Sequence, residues 1–243
     1  MELSEIVARF AEGLVAIDSS SAWQGVSRRT GVTYLPGVPA MTERQLCKEL
    51  VSWWIHNYPT DFHPIGMCEE EVPYPGLPRA RCDIAFNSDA SSKGREWAIE
   101  VKRIQFIGDN GKNNDHNVQK MLSPYMKDRS LVHDIDRMQG HPVARRHAVL
   151  GYAFSYDFES CDEAETRHPE HLDRIAQIRE VCRVNDPETG RLACDDLIQV
   201  ADVQFRHLGI VSDHQTQPFK NAWRHPCGGN GTIFGWEVIG ESE

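Results

Sequence analysis

The run at 95–104, Arg-Glu-Trp-Ala-Ile-Glu-Val-Lys-Arg-Ile, does most to limit the folds open to this chain. β-Branched and aromatic residues fill it and neither Gly nor Pro interrupts it, so it predicts a strand. Side chains alternate along a strand, which puts Glu100 and Lys102 on one face and Ile99, Val101 and Arg103 on the other. A carboxylate next to an ammonium is costly to bury on an otherwise apolar strand. The pair makes sense where a cation and an anionic group sit beside it.

A second short apolar run, 81–86, lies just upstream and contains Asp83. The link between the runs, 87–94, is polar and turn-rich, so the two read as a β-hairpin. Pairing them lets Asp83 and Glu100 converge on one cation, with Lys102 alongside. Glu-x-Lys alone says little, because about one such triplet arises by chance in a chain of this length. Its plainest explanation is a solvated salt bridge on an edge strand. The order of elements adds weight: helix, strand, a hairpin bearing Asp, a strand bearing Glu-x-Lys, then helix and strand. That order predicts an α/β fold, a central mixed β-sheet of four to six strands flanked by helices.

Asp83 followed by Glu100-Val101-Lys102 resembles the PD-(D/E)XK nuclease superfamily, the restriction-endonuclease-like fold. Cys82 stands where the motif has Pro. The resemblance covers 42–155 by element order and three residues by motif. It implies a single nuclease-like domain over 1–243, with the N-terminal helix and C-terminal strands as elaborations of the core. It also implies Mg²⁺, with Mn²⁺ as a substitute, held by Asp83, Glu100 and the main-chain carbonyl of Val101. The expected reaction is phosphodiester hydrolysis by activated water, on DNA rather than RNA, with Lys102 orienting or helping to deprotonate that water. Glu43 is a further catalytic candidate, since an acid from a preceding helix often joins the site in this superfamily. Two alternatives stand beside this reading. One is a nuclease-fold protein that binds nucleic acid or acts as a scaffold without turnover. The other is an unrelated α/β protein with a zinc site.

Charge is distributed to match. The chain carries 26 Lys/Arg and 36 Asp/Glu, a net −10, which argues against loose binding to nucleic acid. Residues 76–150 nevertheless hold an excess of +4 and the remainder −14, so the candidate site lies in the basic third. Arg81, Arg103, Lys120, Lys127 and Arg129 are the candidate phosphate contacts, and Arg28 and Arg29 could reach substrate from the long 19–41 loop. A homodimer is left open. Seven cysteines with no CxxC read as reduced core thiols of a cytoplasmic protein. No basic-then-apolar leader opens the chain, and no apolar run is long enough to cross a membrane. The best zinc clusters are Cys161, His168, His171 and Cys182, then His225 with Cys227, and neither has convincing spacing.

The remaining elements follow from periodicity. Helices are expected over 2–17, 42–57, 130–139 and 169–183. In the second, Thr42 and Gln45 form a capping-box pattern, and Glu43 falls on the apolar face with Leu46, Cys47, Leu50, Val51 and Trp54. Strands are expected over 62–72, 144–156, 200–211 and 232–239. Loops are expected over 106–127 and 213–231, and 157–165 is expected to be an acidic, polar, exposed stretch. The run at 148–154 is apolar almost throughout, as in a strand buried on both faces.

Overall fold

The computed structural model describes residues 1–27, 30–62, 68–88, 94–108, 110–112, 117–125, 130–212 and 214–239. Among them, six strands form one mixed sheet: β1 (Cys68–Tyr74), β2 (Leu77–Phe86), β3 (Trp97–Ile104), β4 (Arg146–Ser155), β5 (Gln215–Ala222) and β6 (Gly229–Val238). Their order is β1-β2-β3-β4-β6-β5. The β3–β4 pair is parallel and the other four pairs are antiparallel. Seven helices flank the sheet: α1 (Leu3–Ser20), α2 (Glu43–Asn57), α3 (Asn117–Leu122), α4 (Leu131–Gly140), α5 (Phe158–Arg167), α6 (Leu172–Asn185) and α7 (Asp195–His207). The expected α/β class with a mixed, helix-flanked sheet is the observed one. No described helix is long and apolar enough to cross a membrane.

Alternation along the strands builds two cores. Ile84, Phe86, Trp97, Ile99, Val101, Leu150, Tyr152 and Phe154 face α1, α2, α5 and α6. Ala85, Ala98, Ile104, Val149, Phe234 and Trp236 face α3, α4 and α7. As expected, β4 is buried on both sides. The Thr42 hydroxyl caps α2 by accepting from the Gln45 N–H. Its apolar face packs Trp54 flat on Phe62, with ring centroids 4.6 Å apart.

Five expectations are corrected. The expected 106–127 loop contains α3. The first strand begins at Cys68, not 62, and Phe62 is instead a core ring beneath Trp54. Segment 157–165 is helical: Asp157 and Ser160 form a reciprocal capping box, and Cys161 and Ala164 are buried. Segment 200–211 is mostly the end of α7, because Ile198, Ala201, Asp202 and Phe205 recur at helical spacing and are buried. The expected 213–231 loop contains β5, an edge strand that tolerates Pro218.

Close approach between β4, β5 and β6 depends on a residue without a side chain. A Cβ at Gly231 would lie 2.1 Å from the Ala153 carbonyl oxygen and 2.4 Å from the Phe219 ring. The first obstacle is paired backbone, which cannot yield. Gly231→Ala is therefore expected to cost about 1–3 kcal/mol, read as a lower denaturant midpoint at unchanged m-value.

Candidate active site

The β2–β3 ladder runs from Phe86↔Trp97 to Ile84↔Ile99 and ends there. Side chains take over where it stops. The Cys82 thiol lies between the Ile84 and Ile99 carbonyls at 3.3 and 3.4 Å, and Asp83 Oδ2 accepts from the Val101 N–H at 2.8 Å. Two residues further on, Glu43 Oε1 accepts from the Arg103 N–H at 2.9 Å. The β2-facing edge of β3 thus hands successive amides to two carboxylates.

On the α4 face of β3 lie Glu100 and Lys102, 2% and 7% exposed. Extending the register by one residue sets Asp83 opposite Glu100, where each carboxyl feels the other's charge. Glu100 Oε1 also accepts from the Tyr74 hydroxyl at 2.7 Å and from Arg137 at 2.8 Å. Lys102 Nζ pairs with Asp134 Oδ2 at 2.7 Å, and Arg137 with Asp134 Oδ1 at 2.6 Å. Lys120 Nζ lies 3.2 Å from Glu43 Oε1 and 3.1 Å from the Arg103 carbonyl. Glu43, Asp83, Glu100, Lys102 and Arg137 floor an open groove of about 930 Å³. Its walls are the first half of β2, including Arg79 and Arg81, and α4 with its C-cap, including His133 and His141.

Burial and like charge set the protonation of the acid pair. Burial pushes the Asp83 carboxyl up to about 6, against the pull of Lys102 and the Val101 N–H. Burial, then Asp83 and Asp134, push Glu100 well above the usual carboxylate range despite Lys102 and Arg137. Burial works against the Lys102 charge, but Asp134, Glu100, Asp83 and Glu43 outweigh it and hold the ammonium. Burial also opposes the Glu43 charge, while Lys120, Lys102 and the Arg103 amide keep that carboxyl below its ordinary range.

Of the residues singled out from the sequence, Asp83, Glu100, Lys102, Glu43 and Lys120 come together here. Arg81 lies on the groove wall, exposed, and donates to its own Pro78 and Ala80 carbonyls. Arg103 is placed elsewhere. Its guanidinium donates to the Pro39 and Met41 carbonyls at 3.0 and 2.6 Å, so it fastens the segment before α2 instead of facing the groove. Lys127, Arg129, Arg28 and Arg29 lie outside the described residues. Tyr74, Asp134 and Arg137 were not foreseen. Asp134 had a signal: it completes the buried α4 stripe of Leu131, Ile135 and Met138 at 3–4 spacing.

The donor set suits a hard divalent cation. Asp83 and Glu100 offer carboxylate oxygens, and their mutual repulsion is what such a cation relieves. The Val101 carbonyl points to the same strand edge as its N–H, toward Asp83. Among the described residues, no group of three or more His, Cys, Asp and Glu could hold a metal ion. Two carboxylates and a carbonyl match Mg²⁺, which keeps most of its water. In the two weighed zinc clusters, His168 Nε2 contacts the Trp223 carbonyl at 2.7 Å, and His225 Nδ1 accepts from the Cys227 N–H. No family model, curated protein or solved structure matches this chain.

The raised Asp83 carboxyl has a consequence for stability. Folded protein binds this proton more tightly than the unfolded chain, so stability falls as pH rises from about 4 through about 6. The cost above that window is of order 2–3 kcal/mol, less whatever solvent at the groove relieves. Asp83→Asn removes the charge and can still accept from Val101. In EDTA at pH 8 the variant is expected to melt several degrees above wild type, and the difference should vanish near pH 4. Thermal melts across pH measure both.

Proposed function

We propose that the protein is a divalent-cation-dependent nuclease that hydrolyses phosphodiester bonds of DNA. The observation that carries this is the cross-strand pair of half-buried Asp83 and buried Glu100 beside the Lys102 ammonium, on the floor of an open groove. The strand order around it is compatible with a restriction-endonuclease-like core, as the Asp and Glu-x-Lys resemblance implies. Asp83, Glu100 and the Val101 carbonyl would hold Mg²⁺ or Mn²⁺. Bound there, the cation would supply Lewis acidity at the phosphate and make water acidic enough to attack at neutral pH.

The chain's own groups do the rest. Lys102 is paired with Asp134 and meets the phosphate as a cation, not as a base. Glu43 holds the edge of β3 and keeps Lys120 beside the groove floor. Arg79 and Arg81 face backbone phosphates from the groove wall. Seven buried free thiols suit the reducing cytoplasm.

One observation favours a nucleic-acid-binding or scaffold protein without turnover. Arg137 and Tyr74 both engage Glu100 Oε1, the acid a cation needs. The two readings separate by calorimetry, since a scaffold of that kind takes up no Mg²⁺. Incubation with plasmid and linear DNA, in Mg²⁺ or in EDTA, tests the nuclease directly. Cleavage is expected in Mg²⁺ alone. Asp83→Asn and Glu100→Gln should each fall to the EDTA background while remaining folded. Cleavage by either folded variant at the wild-type rate would overturn the assignment.

A further inference from the structure

We propose that Asp134 is a positioning residue, whose carboxylate fixes the Lys102 ammonium and the Arg137 guanidinium side by side beneath an anionic substrate. The inference rests on the groove being a phosphodiester site. Asp134 is fully buried and does not line the groove, so it acts only through its neighbours. Each oxygen takes one cation: Oδ2 meets Lys102 Nζ at 2.7 Å and Oδ1 meets Arg137 at 2.6 Å. Both partners line the groove, with side chains 8% and 10% exposed.

The scaffold holds that carboxylate rigidly. Ser130 caps α4 one turn upstream by accepting from the His133 N–H, and buried Leu131, Ile135 and Met138 set the helix's rotation. Stability alone does not call for this arrangement. A buried ion pair is generally no better than well-packed apolar side chains of similar volume, and the surrounding stripe is apolar. What an apolar residue could not do is order a flexible lysine and an arginine at fixed spacing. Arg137 carries the order onward to Glu100.

The test uses the full chain and three variants, Asp134→Asn, Lys102→Met and the double substitution, each checked by melting. Lysine-ammonium NMR without metal should show a slowly exchanging signal that Lys102→Met removes and Asp134→Asn also abolishes. In the wild type, that ammonium should give an Overhauser contact to the Asp134 methylene. Absence of this contact overturns the proposal even where Asp134→Asn does not fold. With Mg²⁺ and plasmid DNA, Asp134→Asn should lower kcat about ten- to hundredfold, with KM nearly unchanged. In the Lys102→Met background the same change should cost far less. A persistent ammonium signal, or equal losses in both backgrounds, overturns the proposal. If the wild type cleaves no DNA but the ammonium still depends on Asp134, the nuclease reading falls and the positioning stands.

Discussion

The hydrogen bond from the Val101 N–H to Asp83 Oδ2 is the contact on which the groove depends. A strand that loses its neighbour must still satisfy its amides. Past Ile84↔Ile99, β3 does so with carboxylates: Asp83 takes Val101 and Glu43 takes Arg103. Each acid thereby acquires a fixed position from the backbone and needs no loop to hold it. Because the ladder stops, a space opens that a continuous sheet would fill. The same edge presents the Val101 carbonyl, so oxygen ligands of two kinds face one gap.

Such an edge concentrates negative charge, and the remaining polar groups answer it. Glu43, Asp83, Glu100 and Asp134 are met by Lys102, Lys120 and Arg137. The cations are not shared evenly. Lys120 serves Glu43, Lys102 serves Asp134, and Arg137 bridges Asp134 to Glu100. Asp83 has an amide and its neighbouring acid, and it is the carboxyl that burial lifts to about 6. The site is therefore short of positive charge where Asp83 meets Glu100. On the proposed reading, a divalent cation would meet that deficit better than another lysine, because it tolerates several oxygen ligands at close range.

Much of this was legible in the sequence because it follows strand and helix periods. Glu100 and Lys102 share a face by alternation, Asp83 comes opposite through the hairpin, and Glu43 turns inward on an amphipathic helix with a clear cap. The unread parts have weak periodic signals. In α7, the β-branched Val200 and Val203 suggest a strand but are exposed, and Asp202 occupies the buried stripe to meet the Trp236 N–H. β5 lies at an edge and buries only Phe219 and Ala222, so its sequence reads as loop. α5 turns few large residues inward. Asp134 went unread for the same reason as Asp202: a charge interrupting an apolar stripe reads as its boundary, although here it belongs to the stripe.

Why the polar cluster gathers at this end of β3 follows from the connections. β3 and β4 form the sheet's parallel pair among the described strands, so the chain must leave the end of β3 and cross over before β4 begins. That crossover brings α3 and α4 onto one face, carrying Lys120, Asp134 and Arg137. The start of α2 approaches from the other side with Glu43 in its first turn, where a carboxylate is favoured by the helix dipole. The departing β2 adds Asp83. Three segments distant in sequence thus meet around residues 100–103 of one strand. Asp83 and Glu43 take amides of its unpaired edge, and the crossover supplies most of the cations that balance them.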